Sequence, residues 1–168
     1  MAEVVRQSSQ EIHISFDRDE ASVLRELVGQ LEAVIRNEER DEVSDRLFPA
    51  AYEDDEKEKS YRSLVHDDLK VLKLNGLDEI MSTLGRSGRA YATIPLDKGE
   101  LWVAALTDIR LALGIRLEVD EDKMNRELDP DDPEAPTLSV LHWLGWLQEA
   151  FLEALVTDED DFNKGERG

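Results

Sequence analysis

Cysteine is absent from the 168 residues, and with it go disulfides, thiolate metal sites, nucleophilic thiols and every thiol-based redox switch. Long hydrophobic runs are missing too. The most apolar stretch, Leu138 to Val156, is interrupted by His142, Gln148, Glu149 and Glu153, short of the roughly 18 consecutive apolar residues a bilayer-crossing helix requires. The first ten residues hold one Arg, one Glu and no apolar stretch of signal-peptide length, so a cytoplasmic location and no membrane association are expected. Basic residues are scarce: 20 Lys and Arg stand against 40 Asp and Glu, a formal charge of −20. A molecule so charged repels nucleic-acid phosphates and anionic lipid at long range, and direct nucleic-acid binding is not expected. The same charge serves solubility, suits a salty cytoplasm, or imitates an acidic ligand.

Signatures of the common enzyme classes are lacking as well. There is no Gly-x-Ser-x-Gly elbow, no phosphate-binding Gly-Lys-Ser/Thr loop and no dinucleotide fingerprint after a strand. His13, His66 and His142 are far apart, and none belongs to a zinc-protease helix motif. No catalytic, cofactor-binding or metal-ligating residue is therefore assigned, and the chain is expected not to be an enzyme. Four features still invite a ligand. Asp120 and Asp122 begin an EF-hand-like spacing, but Met124, Asn125 and Asp131 occupy positions where an oxygen ligand, a glycine and a glutamate are wanted. His66 lies beside Asp67 and Asp68, although adjacent helical residues diverge by about 100°. Arg86 and Arg89 in the turn Gly85-Arg-Ser-Gly-Arg89 are placed to grip a phosphate. Trp102, Trp143 and Trp146 suit interface anchors, or core packing at these helical spacings.

What is present is helical periodicity. Hydrophobic residues make up 40% of a chain long enough for one core. Glu11 to Phe16 alternates polar and apolar as a half-buried strand does. Asp17 with Glu20 forms a capping box opening a helix to about Asn37, its stripe running Leu24, Leu27, Val28, Leu31, Val34, Ile35. Residues 38–46 extend that helix or cross to a break near Phe48 and Pro49. A second helix is expected from Asp54 to a stop at Asn75-Gly76, and a shorter one from Leu77 to Gly85. Ala90 to Ile94 reads as a second strand. Asp97 and Glu100 look like another capping box, for a helix closed by Gly114. Nine acids in 118–134, with Pro130 and Pro133, read as a solvated loop. Thr137 is placed to cap a last helix that is apolar around most of its circumference.

The expected architecture is therefore mainly α: a single-domain bundle of about five helices, with residues 11–16 and 90–94 placed to pair as a small two-stranded antiparallel sheet. Residues 1–10 are expected to be disordered, 11–156 to form the helical domain with an acidic loop at 118–136, and 157–168 to be an acidic flexible tail.

Three stretches resemble an actinobacterial family called AosR-like, formerly catalogued as a domain of unknown function. They are Arg46-Leu-Phe-Pro-Ala-Ala-Tyr52, Leu106-Thr-Asp-Ile-Arg-Leu-Ala-Leu-Gly-Ile-Arg-Leu117 and His142-Trp-Leu-Gly-Trp-Leu-Gln-Glu149. The resemblance spans about residues 10 to 156. Members are typically encoded beside the ClpS protease adaptor. The resemblance implies a non-enzymatic regulator of transcription under oxidative stress that works by protein contact with a sigma factor, and it implies no active site or cofactor. Asp108, Arg110 and Arg116 are the charged residues of the middle stretch, fit either to brace the helix end or to present charge to a partner. A homodimer, a direct DNA-binding regulator and an enzyme with a carboxylate site are the alternatives. Lack of cysteine sets this chain apart from any thiol-based regulator.

Overall fold

The structure is a computed structural model that describes residues 1–37, 42–48, 55–118, 122–123 and 130–157, with backbone only for 55–64. It is mainly helical with a small antiparallel sheet. Strands β1 (Glu3–Arg6), β2 (Glu11–Phe16) and β3 (Ala90–Pro95) lie in the order β1-β2-β3. Helices α1 (Arg18–Arg36), α2 (Glu42–Leu47), α3 (Asp55–Leu84), α4 (Leu96–Arg116) and α5 (Ala135–Val156) complete the described elements.

The period-2 pattern of β2 sends Ile12, Ile14 and Phe16 into the core and leaves His13 and Ser15 on the outer face. Register Phe16↔Ala90 to Glu11↔Pro95 ties β2 to β3. Asp17 then stops the strand and starts α1. Its carboxylate accepts from Glu20 N at 2.9 Å, and Glu20 Oε1 accepts from Asp17 N at 3.0 Å, so both bonds of the expected capping box are made. Helix α1 buries Leu24, Val28, Leu31 and Ile35, the expected stripe. Helix α4 is central, packing against α1, α2, α3, α5 and the sheet. Its fully buried Trp102 lies between Phe16 (ring centroids 5.7 Å apart) and Phe151 (5.0 Å), a stack that pins sheet, α4 and α5 together.

Several local expectations give way to tertiary contacts. Residues 1–10 are not disordered as a whole: Glu3–Arg6 pair with β2 and make the sheet three-stranded. Four residues carry too little pattern to announce a strand, and what holds them is distant. Arg6 donates to Ala154 O (3.0 Å) and Leu155 O (3.4 Å) at the end of α5, and to Ser8 O and Ser9 O. The expected stop at Asn75-Gly76 does not occur, and α3 runs unbroken to Leu84. Gly76 serves instead as a close approach: a Cβ there would sit 3.3 Å from Ala105 Cβ and 3.5 Å from Leu101 O of α4. The left-handed stop falls at Gly85, φ 70°.

The Asp97/Glu100 capping box is not formed either, because β3 feeds α4 directly through Pro95. The first amide of that helix, Leu96 N, is taken by Gln10 O at 3.1 Å, so no side-chain cap is needed there. Gly114 does not close α4, which continues to Arg116, and the left-handed residue is Glu118 (φ 51°). Helix α5 starts at Ala135 rather than after Thr137, with Pro136 in its first turn, where the missing N–H is harmless. Residues 135 and 136, expected in the acidic loop, therefore belong to the helix. Helix α1 ends at Arg36 and α2 at Leu47, which places the expected break at Phe48. The tail beyond Thr157 lies outside the described residues.

Candidate functional site

Asp108, Arg110 and Arg116 of α4 each reach a different helix. Asp108 accepts a 2.9 Å ion-pair hydrogen bond from Lys73 Nζ of α3, both side chains largely buried. Arg110 Nη1 donates to Gln148 Oε1 of α5 at 2.5 Å. Arg116 Nη1 donates to Gln30 Oε1 of α1 at 2.8 Å. The three residues singled out by sequence thus occupy three separate contacts, set by the angles at which their positions leave the helix.

One of these contacts is the centre of a larger network. Gln148 is only 8% exposed. Its Nε2 donates to Val103 O (3.0 Å) and Thr107 Oγ1 (2.7 Å), while the Thr107 hydroxyl donates to Val103 O (3.1 Å). Both amide protons and one of the two carbonyl lone pairs are thus used on α4. The guanidinium of Arg110 lies along α5 where Gly145 has no side chain, since a Cβ there would be 3.4 Å from Nη2. Its Nε is buried with no hydrogen-bond partner among the described residues. The network forms one wall of an open groove of about 760 Å³ between α2, α4 and α5. Leu111, Ile115 and Leu141 give it an apolar lining, and Arg46, Glu42 and Glu118 are exposed along it.

The remaining candidates stay apart. Arg86 and Arg89 are exposed in a turn whose carbonyls face inward: Arg25 of α1 donates to Leu84 O, Gly85 O and Gly88 O, each at 2.9 Å. Gly85 and Gly88 (φ 77°) supply the left-handed conformations this turn needs. His66 stacks near Phe48 (4.5 Å) and lies 3.8 Å from Asp67. His13 meets Tyr91 edge-on across the sheet. His142 is exposed. Trp102 is core, Trp143 packs edge-on to Phe16, and Trp146 is exposed. Among the described residues no group of three or more His, Asp or Glu could hold a metal ion. Asp120, Met124 and Asn125 of the EF-hand-like spacing lie outside them. No described helix is long and apolar enough to cross a membrane.

Sequence reading missed Gln148 as a site residue. The signal was there: Leu141, Leu144, Gln148 and Phe151 follow one another at core spacing, so a polar side chain stood where a buried one was due. Nothing local could have paired it with Arg110.

The family described as a domain of unknown function (DUF2017) matches residues 1–155. The chain belongs to that family. A protein of Mycobacterium leprae (strain TN) named "Putative oxidative stress regulator AosR" is 33% identical to this DUF2017 chain over 114 residues, 67% of this chain and 51% of the relative. The AosR-like resemblance is thus borne out, while the chain spans about half the length of the curated relative it matches. No solved structure matches.

Proposed function

We propose that this DUF2017 chain is a non-enzymatic cytoplasmic regulator of transcription that acts by binding a protein partner, a sigma factor being the partner the family resemblance implies. The observation that carries the reading is the name of the Mycobacterium leprae relative, an oxidative stress regulator. A surface suited to contact supports it. Val71 and Leu72 of α3 are 58% and 57% exposed, unusual for two adjacent aliphatic residues. Leu72 also borders an apolar groove of about 310 Å³ between α3 and α4, and exposed Asp67 and Asp68 stand one turn away. An apolar patch with carboxylates one turn away, on a chain of net charge −20, fits a basic partner, with charge steering the encounter and apolar burial holding the complex. With no cysteine in the chain, a response to oxidant would come through the partner or through other chemistry.

The test is crosslinking of the full chain in cytosol of its native host, followed by identification of the captured proteins. Recovery of a sigma factor, lost in a Val71→Glu/Leu72→Glu variant of unchanged helicity, is the expected result. Failure to capture any protein partner counts against the reading.

A further inference from the structure

In a chain with two carboxylates for every cation, a part-buried guanidinium would ordinarily find an acid. Among the described residues Arg110 does not. Its side-chain partner there is the neutral Gln148 amide, and its Nε is buried with no acceptor. Leaving such a donor unsatisfied is costly, and more so on a charged group. Arg46, which lines the same groove from α2, has no ion pair among the described residues. Two guanidiniums thus line one space of about 760 Å³, within the range of small-molecule sites. Leu111, Ile115 and Leu141 supply its apolar lining.

We propose that the α2–α4–α5 groove binds a small organic monocarboxylate, its carboxylate held by Arg110 and Arg46 and its apolar body lying on Leu111, Ile115 and Leu141. With Nε buried and Nη1 already donating to Gln148, the N–H groups left at the Nη end of Arg110 donate charge-assisted hydrogen bonds to the carboxylate. The rim selects the charge of the ligand. Glu42 and Glu118 are exposed, where water and salt weaken their repulsion of one negative charge, while the part-buried Arg110 is screened less. A phosphate ester or a dicarboxylate would meet that repulsion twice over. The network behind the site fixes the guanidinium before any ligand arrives, because Gln148 is itself held at Val103 O and Thr107 Oγ1.

The experiment is a titration of the whole ¹⁵N-labelled chain with hexanoate, and separately with hexanamide, at constant ionic strength. Hexanoate should shift the Arg110 Nε–H signal and the amides of α4 and α5 that line the groove, and it should saturate. Hexanamide, with the same apolar body and no charge, should bind at least about tenfold more weakly. Arg46→Gln changes an exposed residue, so the fold is retained, and, its charge being screened as the glutamates' are, it should weaken hexanoate about two- to fivefold. Equal shifts from both probes, shifts that map elsewhere, or wild-type affinity in Arg46→Gln would overturn the proposal. None of these outcomes bears on whether the chain captures a protein partner.

Discussion

Replacing Gln148 by leucine tests whether the polar network holds α4 to α5. The change keeps the volume and apolar character of the core but removes the acceptor of Arg110 Nη1 and the donors to Val103 O and Thr107 Oγ1. The first is charge-assisted, worth about 1.5–3 kcal/mol, and each neutral bond is worth about 1 kcal/mol. Leucine is better buried than glutamine and returns part of this. A net loss of about 3 kcal/mol is expected, a fall in Tm of roughly 6–12 °C for a chain of this size. Arg110→Met alone should also destabilise, by less, because it removes an orphaned Nε along with the bond. The decisive measurement is the double variant. With both partners gone no charge is left stranded, so the combined loss should fall short of the sum by about 1–3 kcal/mol. Urea unfolding followed by tryptophan fluorescence and far-UV dichroism reads all four proteins. Additivity of the two changes within about 0.5 kcal/mol would refute the coupling.

Three further outcomes follow from the same structure. Arg25→Ala frees three carbonyls of the 84–88 turn and should cost about 2 kcal/mol; Arg25→Lys, lacking the fork, should recover little of it, and faster amide exchange at Gly85 to Arg89 should accompany both. Gly76→Ala sets a helix-propensity gain of about 1 kcal/mol against crowding of Ala105 Cβ and the Leu101 carbonyl, so stability should stay near wild type. Gly76→Leu has no such room and should lose about 2 kcal/mol or more, measured by thermal unfolding. At low pH the Asp17 cap is the group to watch. Hydrogen bonding from the Glu20 backbone N–H, the largest cause, holds its carboxyl below the ordinary aspartate value, so the folded state binds that proton less readily than the unfolded chain. Its contribution is fully present above the ordinary value and is lost as pH falls through the lowered one; Asp17→Asn, which keeps an acceptor that does not titrate, should flatten that part of the acid-unfolding curve.

The parts of the fold legible in sequence were those encoded by neighbours. The stripe of α1 and its Asp17/Glu20 box recur in the structure because a capping box is closed within one turn, and the alternation in β2 because its inner face needs three apolar residues in a row of alternate positions. Gly76 misled for a physical reason: glycine serves both as a left-handed stop and as the smallest surface for a crossing helix, and only the partner helix decides which. Asp97 and Glu100 misled because Gln10 O, a backbone atom far away in sequence, had already taken the amide that a cap would satisfy. Of the candidate site, Arg110 was legible as a polar residue in an apolar helix. Gln148 was written at a core position and passed over.

By itself the sequence determined where helices could form, that no thiol chemistry is available, and that the exterior is strongly acidic, since each of these follows from residue type and short-range spacing. Tertiary structure alone decided that β1 joins the sheet, that α3 passes straight through Gly76, and that Asp108, Arg110 and Arg116 meet three different helices. Those outcomes depend on contacts between residues as far as 149 positions apart, and chain separation of that length leaves no local pattern to read.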